Sequence, residues 1–170
     1  MSGKFCLDAN IFLSTWYVNY PPRIFSRLWE QIAVNKSDII LLKPIFDEIE
    51  PFTSSDRNLP VTVKKQKYPL RYWIEKENFT ITPVDDAVNA LSLNLEKEYE
   101  TNNNSKGAGQ IDIILIAYAK LNDKIVVTFE NKQKQKPQKK CNYKIPLICI
   151  EQHVKCISYI ELLDLLNIKT

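Results

Sequence analysis

The chain alternates short, β-branched apolar runs with longer stretches of helical periodicity, and this alternation restricts the fold more than any single residue does. The runs are "FCLDA" (5–9), "IILL" (39–42), "FTITP" (79–83), "KIVVTF" (124–129) and "KCISY" (155–159). Apolar spacing predicts helices over 24–34, about 44–51, 61–77 with a break at Pro69, 85–99, 111–122 and 160–167. Strands separated by helices of this length form βαβ units, which place a parallel sheet beneath helices on both faces. The predicted fold class is therefore α/β, a three-layer α/β/α arrangement with a central parallel sheet of about five strands. With 170 residues and 45% hydrophobic composition, the chain 1–170 is expected to be a single domain.

Several function classes drop out. The longest apolar stretches, such as "IDIILIAYA" (111–119), fall short of the roughly 20 residues of a membrane span, and the N-terminus lacks the features of a signal peptide. A soluble cytoplasmic protein without membrane contact is expected. Glycine occurs three times, and only Gly107 and Gly109 lie beyond the N-terminal tail, so no glycine-rich loop cradles a phosphate. Cys6, Cys141, Cys149 and Cys156 form no C-x-x-C pair and are expected as reduced thiols. Cys141, Cys149, His153 and Cys156 could be summed into a zinc set, but their spacings match no common zinc motif.

The net charge of +3 is unevenly spread. Residues 132–144, "KQKQKPQKKCNYK", contain six lysines and no acid, leaving 17 basic against 20 acidic residues elsewhere. A mobile basic loop at about 131–144 on a mildly acidic body is expected. Lys132, Lys134, Lys136, Lys139 and Lys140 are its candidate phosphate-binding residues; a solvated surface segment is the plainer alternative. A second basic stretch, "VKKQKYPLRYW" (63–73), carries Tyr68, Tyr72 and Trp73, which could stack on unpaired bases or pack onto the core. "PFTSSDRNLP" (51–60) and "TNNNSKGAG" (101–109) are expected as polar loops.

In a parallel sheet the carboxyl ends of the strands and the helix starts after them share one edge. Asp8 ends the first strand, Glu130 follows Thr128 at the end of "IVVTF", Glu48 lies on the helical turn after the second strand, and Asp112 opens the helix of 111–122. Either Asp8 or Asp112 alone reads equally as a helix-start residue. Together, four acids at equivalent positions would repel one another, and a hard divalent cation held by oxygen ligands relieves that repulsion. Glu48 is chosen over Asp47 because it borders the stripe marked by Ile45 and Ile49, with Asp47 kept as the alternative. Asp85 and Asp86 read as an ordinary helix start, and His153 as a surface or packed residue.

"CLDANIF", "PIFDEIE", "GQIDIILIAYAK" and "IVVTFE", in this order, resemble the four acidic motifs of PIN domains, the nuclease fold that includes VapC-type toxins. The likeness is closest to a subgroup of uncharacterised bacterial PIN-like proteins, through "YPPRIFSRLWEQI" and "KKCNYKIPLIC" as well. The fourth motif reads Thr128-Phe129-Glu130 where PIN proteins usually carry T-x-D. The resemblance implies a five-stranded parallel sheet and RNA cleavage dependent on Mg2+ or Mn2+. Asp8, Glu48, Asp112 and Glu130 would be its catalytic and metal-binding residues, with Asn10 and Thr128 orienting them. It further implies the toxin of a toxin–antitoxin pair, whose partners are an RNA substrate, a cognate antitoxin and a second copy in a homodimer. The alternative is a degenerate PIN-like module that binds RNA or assembles into a complex without cutting. Haloacid-dehalogenase-like phosphatases share "LDAN" and "VVT" but need a second aspartate where Asn10 stands. Receiver domains need an acid pair after the first strand and an Asp after the third, and "FTITP" supplies none.

Overall fold

The computed structural model describes residues 4–101 and 106–169, so that 102–105 of the predicted polar segment 101–109 lie outside the described residues. Five strands form one all-parallel sheet: β1 (Phe5–Leu7), β2 (Ile39–Leu42), β3 (Ile81–Thr82), β4 (Ile125–Thr128) and β5 (Cys156–Ser158). Their order is β3-β2-β1-β4-β5. Helices flank the sheet, giving the predicted α/β class. Every residue of β1, β2 and β4 is buried, Cys6, Leu41, Leu42, Val126 and Val127 completely. This is why these strands read as unbroken apolar runs, as expected where helices cover both faces of a parallel sheet.

The crossovers contain α1 (Ala9–Ser14), a π-helical turn (Thr15–Asn19) and α2 (Ser26–Val34) between β1 and β2. Next come α3 (Lys43–Glu48), α4 (Val61–Lys67) and α5 (Pro69–Lys76), leading to β3. The long helices α6 (Asp86–Tyr99) and α7 (Gln110–Asn122) pack on one another ahead of β4, α8 (Ile145–Glu151) precedes β5, and α9 (Tyr159–Leu165) follows it. The helix predicted over 61–77 does break before Pro69, since a residue preceding proline is pushed out of the helical region; Tyr68 lies at φ −130, ψ 59. Asp85 caps α6 by accepting from Val88 N at 2.9 Å, as expected of it.

Two aromatic residues of the second basic stretch, Tyr68 and Trp73, pack inward. Trp16, Trp29 and Trp73 meet in tilted and edge-to-face contacts with centroids 4.7 to 5.6 Å apart, and Trp73 also meets Phe79. Tyr68 is buried, and its hydroxyl donates to the buried Asp56, which also accepts from Thr53 and Lys67. These bonds tie the 51–60 segment to α4 and take Tyr68 away from solvent.

The lysine-rich segment is tethered at several points, which differs from the freely mobile loop expected of its composition. Gln133 donates to Asn142 O and accepts from Lys144 N, both at 2.9 Å. Ala108 N donates to Tyr143 O at 2.8 Å, and Tyr143 is buried. A Cβ on Gly107 would fall 2.4 Å from Cys141 O and 2.6 Å from Tyr143 O, distances that backbone carbonyls cannot accommodate without moving. Gly107→Ala is therefore expected to cost about 2 kcal/mol or more, the range for overpacking a closely packed site. Urea denaturation measures it, and an unchanged midpoint would show that the loop is not held there.

Candidate functional site

The strand order reverses between β1 and β4. The chain leaves β1 toward β2 and β3 on one side, then returns to β4 and β5 on the other. In open parallel sheets such a switch point opens a crevice outside the carboxyl ends of the strands, because the two neighbouring crossovers depart in opposite directions. Asp8 follows β1 at this point, and Thr128 ends β4 beside it. The register pairs Leu7 with Val127, so one residue further on Asp8 meets Thr128. Asp8 N donates to Val127 O at 3.1 Å, and the Thr128 hydroxyl donates to Asp8 Oδ2 at 3.2 Å, with both residues 2% exposed. The same hydroxyl accepts from Glu130 N at 3.1 Å, so Thr128 links two of the acids.

Three of the four acids are held at the start of a helix. Asp8 caps α1, its Oδ1 accepting from Asn10 N at 3.3 Å. Asp112 is in the first turn of α7 and its Oδ2 accepts from Gly109 N at 2.8 Å. Glu130 reaches across from β4, and its Oε2 accepts from Ile145 N, the first amide of α8, at 2.8 Å. A helix start offers unpaired N–H groups and the positive end of the helix dipole, so each carboxylate sits where the backbone favours negative charge. The helix-start reading of Asp8 and Asp112 is thus correct as far as it goes, and both remain in the acidic group.

The fourth acid, Glu48, ends α3 with its side chain at the surface. Partial burial of the carboxylate and then the charge on Asp8 raise its pKa, so the carboxylate stands within the field of the site. Asp47, one residue earlier, pairs with Lys43 on the exposed face of the helix. Glu48 therefore joins the group, while Asp47 is engaged elsewhere.

The electrostatics are those of an undercompensated cluster. Burial raises Asp8 against the bonds from Asn10 and Thr128. Burial likewise raises Glu130, opposed by the Ile145 N–H and by Lys144 and reinforced by Asp8. Asp112 is pushed up to about 7, first by burial, with the charges on Asp8, Glu130 and Glu48 adding to it against the Gly109 bond. Lys144 is the cation that opposes the rise at Glu130, a role that the lysine spacing did not reveal. Its place next to the start of α8 depends on the 131–144 loop folding back, which local sequence does not reveal.

The donor set consists of carboxylate oxygens, the hard ligands that suit Mg2+ or Mn2+. Each backbone bond occupies one oxygen, and a carboxylate has about four lone-pair sites, so coordination capacity remains. Among the described residues no three His, Cys, Asp or Glu side chains form a ready-made metal group, the cysteine-and-histidine set included. His153 is exposed.

The proposed phosphate-binding lysines divide into two groups. Lys136 pairs with Glu151 at 2.7 Å and Lys140 with Glu98 at 2.8 Å, so these two are committed to fastening the loop. Lys132, Lys134 and Lys139 extend into solvent.

An all-parallel α/β protein with carboxylates gathered at its switch point is the class that fold and site define. Within it, the chain belongs to the family described as Domain of unknown function (DUF4411), whose model matches residues 5–170. No curated protein matches it. Among the described residues, no helix is long and apolar enough to cross a membrane.

The Asp112 shift has a direct consequence. A carboxyl whose pKa is higher folded than unfolded stabilises the fold fully below its unfolded value near 4, and that contribution is lost as pH rises through about 7. In chelator at pH 8, Asp112→Asn is therefore expected to be about 1–2 kcal/mol more stable than wild type, with the gain gone by pH 4. Thermal melts at both pH values test this; a variant no more stable at pH 8 would contradict the cluster's strain.

Proposed function

We propose that the protein is a PIN-like, divalent-metal-dependent endoribonuclease, the toxin of a toxin–antitoxin pair. The observation that carries the reading is the gathering of Asp8, Glu48, Asp112 and Glu130 at one sheet edge with little positive charge opposing them. Asp8 raises the pKa of Glu48, Asp112 and Glu130, and Asp112 is raised by the other two as well, an expensive arrangement for structure alone that a cation would relieve. The order and spacing of their motifs resemble those of PIN domains, which supports RNA as the substrate.

In this reading Asp8 and Asp112 would hold Mg2+ or Mn2+ directly, with Glu48 and Glu130 holding it directly or through water, and the ion would supply Lewis acidity for hydrolysis of the phosphodiester. Thr128 and Asn10 fix the orientation of Asp8, and the Ile145 N–H fixes that of Glu130. Lys144 lies beside the site, and Lys132, Lys134 and Lys139 offer charge to the phosphate chain. A cognate antitoxin would cover the acidic edge, and a homodimer and a cytoplasmic location accompany the toxin reading. The engagement of the Glu130 carboxylate with the Ile145 N–H favours a second reading, a module that binds RNA or partners without cutting.

Labelled single-stranded RNA incubated with Mn2+, Mg2+ or chelator separates the two. Metal-dependent cleavage is expected, falling to background in Asp8→Asn and Asp112→Asn and by about 10- to 100-fold in Thr128→Val. Asp47→Asn is expected to cut like wild type. No cutting of several RNAs, together with no stabilisation by Mn2+, would select the non-catalytic module.

A further inference from the structure

Arg71, in the first turn of α5, lies far from the acidic residues in sequence and does not belong to the acidic edge. Its guanidinium donates from Nη1 to Phe46 O at 3.2 Å and to Ile49 O at 3.1 Å, the carbonyls on either side of Glu48. The planar cation is packed between two rings, 4.1 Å from the centroid of Phe46 and 4.7 Å from that of Phe52, and its side chain is 12% exposed. Its Nε is buried without a hydrogen bond and lies 3.7 Å from Glu75. Burying a charge this deeply is costly, so the contacts it makes must be needed by the segment they hold.

That segment is weak by itself. α3 has six residues, too short to persist from helix propensity, and the chain turns at Glu50 into the left-handed region at φ 46. The last carbonyls of a helix lack partners within it, and a cation there also meets the negative end of the dipole. The arrangement is reciprocal: the Glu50 carboxylate accepts from Arg71 N at 2.9 Å at the start of α5, and from the Tyr17 hydroxyl. The end of α3 and the start of α5 thus cap one another, with Glu48 inside the closed loop.

We propose that Arg71 is a positioning residue, holding the last turn of α3 so that the Glu48 carboxylate faces Asp8 and Asp112. The role rests on the metal-site reading, since what it positions is a ligand. Lysine at this place keeps the charge but not the planar guanidinium that stacks between the Phe46 and Phe52 rings, so Arg71→Lys is not a conservative replacement.

The test is a double-mutant cycle on Mn2+ affinity, measured by titration calorimetry on wild type, Arg71→Gln, Glu48→Gln and the double variant. Arg71→Lys serves as the better-folded companion, and thermal melts are recorded for all. Arg71→Gln is expected to weaken Mn2+ about tenfold, Arg71→Lys less, and the Arg71→Gln effect to vanish once Glu48 is Gln. A general loss of packing would add to the Glu48 effect instead, and additivity would overturn the proposal. Wild-type affinity in folded Arg71→Gln or Arg71→Lys would overturn it while leaving the metal site standing. No Mn2+ binding by wild type would overturn the metal site and the positioning role together.

Discussion

The structure depends on a carboxylate placed where a parallel sheet changes direction. Asp8 sits at 2% exposure between β1 and β4, bound by the hydroxyl of Thr128 and the opening amides of α1. An apolar residue at this position would serve the core better on burial alone. What keeps an acid tolerable there is the sheet register that brings Thr128 alongside and the helix start that follows directly. The same device recurs at Asp112 with α7 and at Glu130 with α8. Three helix beginnings thus point at one edge, each holding an acid, and the shared field of those acids is the site.

Much of the scaffold was legible because three of its strands, β1, β2 and β4, are buried on both sides. Where every residue faces a helix layer, hydrophobicity does not alternate, and "IILL" or "KIVVTF" can scarcely be read otherwise. Two elements were not legible. α1 follows β1 after a single residue and runs six residues into a π-helical turn, too short for a helical period to separate from the strand pattern. α8 is written in "IPLICIE", whose β-branched residues suggest an extended run, and its helix is permitted because Pro146 falls in the first turn, where no N–H is required.

The acidic site was legible because parallel topology alone carries strand ends and helix starts to one side. The pairs that support it were not, since they join residues far apart in sequence whose local surroundings give no signal. Lysine spacing shows charge but not that Lys136 and Lys140 are committed to Glu151 and Glu98. In the same way, "PLRYW" gives no sign that Arg71 closes the end of α3 while Glu50 closes the beginning of α5. Helix phase separated Glu48 from Asp47, and the Lys43–Asp47 pair agrees with that choice.

The central claim is that the edge at the switch point is a divalent-metal site, and diffraction from crystals soaked in Mn2+, recorded at an energy where manganese scatters anomalously, addresses it most directly. An anomalous peak bound by the carboxylates of Asp8 and Asp112, and absent from Asp8→Asn crystals, is the expected result. No peak at that edge in wild-type crystals at saturating Mn2+, or a peak that survives the loss of the Asp8 carboxylate, would contradict it.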